Sequence, residues 1–445
     1  MKIEFPKDFL WGTATSSCQI EGSQNIDGKV DTVWDKLSRD GKILRNENPF
    51  IACDHYHKYK EDVALLKELG VNHYRFSVCW ARIITDINGT VNQKGIEFYS
   101  NLVDELLANG ITPYVTLFHW DYPQYLADAF GGMVSREIVP HFKLYCDTII
   151  KALGDRVVNW MTINEPIASS YFAYYKDAFI APAIKSDNKS AANSIHNILM
   201  CHGVAVKSVR ENARPDAKVG IVFNPVVRYP IEEQKQIFEL IENLWEMDNG
   251  YFMDPIYYGK YPTRTFRGLP DCTPDIMPGD MELINQKTDF LGLNVYFGYV
   301  VEPDAACFES CSVYIKPSDR ILDTIPQTPD AFYYTIKYLY DHYPINDLII
   351  TESGSAWRGE DQDYQVNDDY RIDYMKMHLK SIKKAMDEGY KVSGFTYWSL
   401  MDNFEWNCGY EWKYGLIYID KDLNRIPKKS FYWYKELIEK GWFEE

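Results

Sequence analysis

Nowhere in this 445-residue chain do about 18 consecutive apolar residues occur, which excludes a membrane-spanning helix. Residues 1–6 (MKIEFP) show no basic stretch followed by an apolar run, so no secretory leader is expected. The nine cysteines have neither CxxC nor CxxH spacing. Odd in number and scattered, they read as small buried apolar residues of a reducing compartment, with cytoplasm as the expected location. The nine histidines form no cluster with acidic residues at metal spacing, so neither a metal nor a cofactor is implied. Positive charge is also scarce. With 47 Lys and Arg against 64 Asp and Glu, the formal charge is −17, the wrong sign for a nucleic-acid partner. No low-complexity linker, fixed-period repeat or break in composition divides the chain, and residues 1–445 read as a single domain.

What is present is an alternation. Short apolar runs rich in β-branched and aromatic residues occur at 9–15, 71–78, 111–119, 157–165, 218–225, 289–296, 348–352 and 392–400. Each is followed by sequence with helical periodicity, at 54–69, 94–109, 135–153, 191–212, 232–258, 329–342, 368–388 and 428–440. Strands buried on both faces and separated by helices demand a parallel sheet, and eight of them close into a (β/α)8 TIM barrel. The hydrophobic fraction of 46% supplies a core of that size. The irregular stretches 43–52, 297–328 and 403–426 are expected to build the rim of an active site at the C-terminal strand ends.

Two of these strands end in a carboxylate. Residues 160–166 (WMTINEP) deliver Glu165, and residues 348–354 (LIITESG) deliver Glu352. Two carboxyl groups at the same end of parallel strands meet the chemical requirement for hydrolysing a glycosidic bond. The other polar or aromatic residues at those ends are Gln19, His119, Asn164, Asn294, Tyr296, Trp398, Glu405 and Trp406. Singly, each has a structural explanation, as a satisfied core histidine, a cap or a packed indole. Structural roles alone would not require all of them at one end of different strands. The 12 Trp and 34 Tyr must mostly pack the core, but some can offer their faces to the C–H side of a sugar ring.

These stretches resemble family 1 glycoside hydrolases of the β-glucosidase type, over roughly residues 9–434. The family pattern T-x-N-E-P stands at 162–166, and I-T-E-N-G stands at 350–354 with Ser353 in place of Asn. FLWGTATSSCQIEG (9–22), YRFSVCWARI (74–83), LFHWDYPQYL (117–126) and YWSLMDNFEW (397–406) fall where the family has them. The resemblance implies a retaining enzyme that removes terminal β-D-glucosyl, and also β-D-galactosyl or β-D-fucosyl, residues from small glycosides. Glu352 would be the nucleophile and Glu165 the acid and then the base, about 5–5.5 Å apart, with the charge of Glu352 raising the pKa of Glu165. Arg75, Asn294 and Tyr296 would support them. Gln19, His119, Trp120, Asn164, Trp398, Glu405 and Trp406 would hold the sugar, with Trp398 as its apolar platform.

Two other readings are a 6-phospho-β-glycosidase and a non-catalytic sugar-binding relative. Relatives acting on 6-phosphorylated sugars carry Ser at the position of Glu405 and Lys at that of Trp412. A phosphate dianion would be repelled by Glu405, so unphosphorylated sugars are expected. Non-catalytic relatives usually lose one of the two glutamates, and both are here. The family's Trp wall on the leaving-group side has no counterpart in residues 322–329 (LDTIPQTP), where Ile325 stands near its place, and the 176–183 loop lacks the usual final glycine. Trp357 is a candidate substitute for that wall.

Overall fold

The computed structural model describes residues 2–304, 307–320, 323–359 and 361–445. Its centre is a closed barrel of eight parallel strands, β1 (Leu10–Ala14), β2 (His73–Ser77), β3 (Thr112–Phe118), β4 (Asn159–Asn164), β5 (Lys218–Phe223), β6 (Phe290–Asn294), β7 (Leu348–Ser353) and β8 (Val392–Trp398), paired in chain order and closed by β8 on β1. After them come, in turn, α1 (His55–Leu69), α2 (Gln93–Ala108), α3 (Ile138–Leu153), α4 (Asn188–Asn212), α5 (Lys235–Trp245), α6 (Pro329–His342), α7 (Asp369–Asp387) and α8 (Lys429–Lys440). No helix among the described residues is long and apolar enough to cross a membrane.

Why these elements form is visible locally. Gly70 ends α1 in the left-handed conformation, returning its N–H to Leu66 and Lys67, and the Asp187 side chain caps α4 by accepting from the Ser190 N–H. Outward-facing strand residues such as Tyr74, Phe76, Val115 and Leu117 pack against the helices in the main core. Inward-facing Tyr114, Met161, Val222, Phe290 and Ile349 fill the lower barrel as a separate cluster. Above them His73 bonds Thr396 at 2.8 Å, and its ring lies where a Cβ on Gly12 would be, 2.3 Å away.

The structure departs from the expected boundaries in instructive ways. The expected strand ends at 119, 165, 225, 296 and 400 overrun the observed ones, because the residues beyond them turn into loops; Trp120 and Glu165 already have positive φ, 72° and 47°. The helical run 232–258 is interrupted by a π-turn at Glu246–Gly250 before Tyr251–Tyr258. The stretch 297–328, expected to be irregular, contains antiparallel strands Tyr299–Asp304 and Cys307–Tyr314 that join Arg228–Pro230 in a small sheet. Residues 305–306 and 321–322 of that stretch, including Leu322, lie outside the described residues.

Candidate active site

Strict alternation along β7 would not bring both Thr351 and Glu352 into the barrel. The pairing register shifts on both sides of this strand, between Ile350 and Glu352 and between Ile350 and Ser353, and the irregularity turns Glu352 inward beside Thr351. A similar shift in β4 between Met161 and Asn164 aims Asn164 into the same space. One residue on, Glu165 leaves the strand in a left-handed conformation, its N–H held by the Val222 carbonyl at 2.9 Å.

Arg75, in the middle of β2 and 1% exposed, organises what meets there. It donates to Glu352 Oε1 at 2.5 Å, Asn164 Oδ1 at 2.7 Å, Thr116 Oγ1 at 3.1 Å and the Thr351 carbonyl at 3.3 Å. Tyr296 donates to the other Glu352 oxygen at 2.8 Å. A buried ion pair holds its charges only when its remaining hydrogen-bonding positions are also satisfied, and this one meets that condition. Glu165 is tied to the same network. Asn294 Nδ2 donates to Glu165 Oε1 at 2.8 Å and to Asn164 Oδ1 at 3.1 Å, while Asn294 Oδ1 accepts from Thr351 at 2.8 Å.

The environments of the carboxyls diverge. Burial, reinforced by the charge of Glu352, raises Glu165 to about 8; the Asn294 bond and Arg75 pull it down only in part. The larger cause is therefore desolvation, not the neighbouring carboxylate that the sequence suggested. Burial first, then Glu352 and Glu165, likewise raises Glu405 to about 8. The site thus holds one arginine-bound carboxylate facing two carboxyls whose protons are retained.

Buried carboxyls tied together by one network make up the site, and comparison with known proteins identifies the family. The family model for glycosyl hydrolase family 1 matches residues 1–442. The chain belongs to that family. The β-glucosidase A of Thermotoga maritima is 38% identical over 99% of both chains. An aryl-phospho-β-D-glucosidase of Bacillus subtilis is 36% identical, with 98% of this chain and 97% of the relative covered. A bifunctional β-D-glucosidase/β-D-fucosidase of Bifidobacterium breve is also 36% identical, with 98% and 99% covered. A solved structure of the Thermotoga maritima family 1 glycoside hydrolase, complexed with a cyclophellitol analogue transition state mimic, superposes with a TM-score of 0.89 at 37% identity and complete coverage of both chains.

The remaining sugar-side residues of this family 1 chain also converge. Asn164 Nδ2 donates to His119 Nε2 at 3.1 Å, which leaves the proton on Nδ1, a buried atom with no partner among the described residues. Burial, and then Arg75, keep that imidazole neutral by lowering its pKa. Gln19 Nε2 bonds the Phe404 carbonyl at 2.8 Å, Asn403 Oδ1 at 3.0 Å and Glu405 Oε2 at 3.3 Å, and Trp398 hydrogen-bonds Glu405 too. The His119 ring stacks on Trp398 at 5.8 Å and on Trp406 at 5.9 Å. Trp120 stands apart from its neighbours in role. Its indole N–H is taken by the Asn164 carbonyl at 2.9 Å and its ring packs on Trp406 at 4.7 Å, so it braces the shell from behind.

Sequence reading passed over Thr116, Thr351, Asn403 and Tyr374. The two threonines were findable as lone hydroxyls in otherwise apolar inward positions. Tyr374 was not. It reaches from α7 to donate to the Tyr296 carbonyl at 2.6 Å and lies 3.2 Å from the Ser353 hydroxyl, which gives the unusual serine a partner beside Glu352. On the leaving-group side, Ile325 is buried against Ala356 and Tyr374, and Trp357 packs on Tyr364 at 4.7 Å. The cavity of about 410 Å³ that opens from Glu165 is walled instead by Phe172, Phe297 and Tyr299.

Proposed function

We propose that this family 1 chain is a retaining β-glucosidase, one catalytic unit acting on terminal β-D-glucosyl, and also β-D-galactosyl or β-D-fucosyl, residues of small glycosides. The observation that carries the reading is the unlike pair, Glu352 held by Arg75 and Tyr296 opposite a Glu165 that burial keeps protonated. Glu352 attacks the anomeric carbon while Glu165 gives its proton to the glycosidic oxygen, which leaves with the aglycone. The ester formed on Glu352 carries no charge, so the pKa of Glu165 falls and it takes a proton from water. That water attacks the anomeric carbon, and Glu352 departs as carboxylate. His119, Gln19, Asn164, Glu405 and the indole N–H of Trp406 orient the sugar hydroxyls, and Trp398 covers its apolar face.

Overall identity does not separate plain from phosphorylated sugars, since relatives of both kinds match about equally. The field at Glu405 favours the plain sugar. Burial first, and then the neighbouring Glu352 carboxylate, already oppose negative charge there, and a phosphate dianion would meet the same opposition. Cys18, Cys53, Cys79, Cys146, Cys201 and Cys272 are buried and unpaired, which supports a reducing, cytoplasmic location.

The test is turnover of p-nitrophenyl β-D-glucoside and its 6-phosphate by wild type and by Glu352→Ala. Expected are hydrolysis of the plain glucoside, its loss in the variant, and rescue by azide with an α-glycosyl azide as product. Turnover of the phosphorylated glucoside alone would overturn the assignment of Glu405. A β-configured azide would overturn the role of Glu352.

A further inference from the structure

The leaving-group cavity contains a cation whose charge is only half answered. Asp248, placed by the π-turn Glu246–Gly250, forms an ion pair with Arg228 at 2.6 Å and accepts from Arg267 Nε at 3.0 Å. Among the described residues neither arginine has another carboxylate partner. One aspartate thus faces two guanidinium groups, and Arg228 alone would have sufficed for it. Arg267 lines the same cavity as Glu165 and Asn294. Its position is fixed: the guanidinium carbon lies 5.3 Å from the Tyr171 ring centre and 5.4 Å from those of Phe172 and Phe266. Asn224, also on the cavity wall, has a buried amide oxygen with no hydrogen-bond partner among the described residues.

We propose that Arg267 selects glycosides whose leaving group is an aromatic ring bearing a carboxylate. The rings of Phe172, Phe297 and Tyr299 suit a flat apolar body, the surplus positive charge suits an acid group at its far end, and Asn224 offers an acceptor to a hydroxyl on the ring. A held, rigid guanidinium costs little ordering on binding, so the contact appears in affinity. This inference rests on the β-glucosidase reading above, and concerns which glucosides that site prefers.

The experiment compares 4-carboxyphenyl β-D-glucoside with its methyl ester in wild type, Arg267→Gln and Arg267→Lys. The two phenols differ in leaving ability, but that difference cancels when the acid-to-ester ratio of kcat/KM is compared between enzymes. The ratio is expected to fall about tenfold in Arg267→Gln, mainly through KM. It should be largely kept in Arg267→Lys, and the wild-type preference should shrink with added salt. An unchanged ratio in Arg267→Gln, with both substrates still hydrolysed, overturns the inference and leaves the parent reading intact. Failure of wild type to hydrolyse p-nitrophenyl β-D-glucoside overturns the parent reading, and this one with it.

Discussion

At the scale of single residues, the site works by making two chemically identical side chains unlike. Glu352 sits on a guanidinium and a phenol; Glu165 sits buried beside an amide. Because the acid role needs a protonated Glu165, kcat/KM is expected to decline as pH rises through about 8, the value to which burial raises this group. Stability should move the same way. A carboxyl whose pKa is raised on folding contributes fully below its unfolded value near 4.5, and that contribution is lost as pH rises through about 8. Glu165 and Glu405 both behave so. Thermal unfolding between pH 5 and pH 8.5 should therefore show a smaller loss of Tm in Glu405→Gln than in wild type; equal losses would argue against Glu405 as a source. The identities of these residues were legible in the sequence because strand ends and the family motifs point to them. That Glu165 has a raised pKa was legible too, but the larger share that burial takes in raising it was not, since burial depends on what the whole chain folds over it.

At the scale of elements, the barrel depends on close approach. Gly203 lies in α4 where the helix crosses the segment Asp280–Ile284, and a Cβ there would meet the Leu283 carbonyl oxygen at 2.0 Å. Backbone cannot move aside as a side-chain tip can. Gly203→Ala is expected to destabilise the fold by about 1–3 kcal/mol, although Ala is ordinarily the better helix former. Chemical denaturation of the two proteins checks this, and a stabilised variant would show that α4 has room to slide. Element type and order were readable from periodicity, as α4 and the strand from Leu348 onward illustrate. Element ends were not. The strands that finish at Asn164 and Asn294 were expected to run on to Glu165 and Tyr296, because neither Gly nor Pro stands at residue 165 or at residues 295 and 296 to mark the turn. The strands Tyr299–Asp304 and Cys307–Tyr314 were missed for a related reason: they pair only with each other and with Arg228–Pro230, outside the barrel.

For the whole molecule, closure is completed from the far end of the chain. Tyr434 on α8 donates to the Gly12 carbonyl at 3.0 Å, and its ring lies 6.0 Å from that of Trp11 and 6.4 Å from that of Phe395, so one helix staples β1 to β8. The strand Trp442–Glu444 then pairs with Lys2–Glu4. Removing residues 429–445 strips this cover from the seam. The truncated chain is expected to lose cooperative unfolding and near-UV circular dichroism, with far-UV signal partly kept. A sharp, native-like melt of the truncated protein would show that the other pairings suffice to close the barrel.

The sequence by itself determined the alternation that makes a barrel, the end of it that carries chemistry, and the two glutamates, because strand period, helix period and motif are local properties of neighbouring residues. Only the tertiary structure decided three further things. The register shifts in β4 and β7 turn Asn164 and Glu352 inward, against simple alternation. Desolvation, a property of everything packed around a group, raises the pKa of Glu165. Arg228, Asp248 and Arg267 meet beside the cavity that Glu165 lines although they stand on a short strand, a π-turn and a separate 3-10 turn. Each depends on contacts between residues distant in sequence, and no local pattern records such contacts.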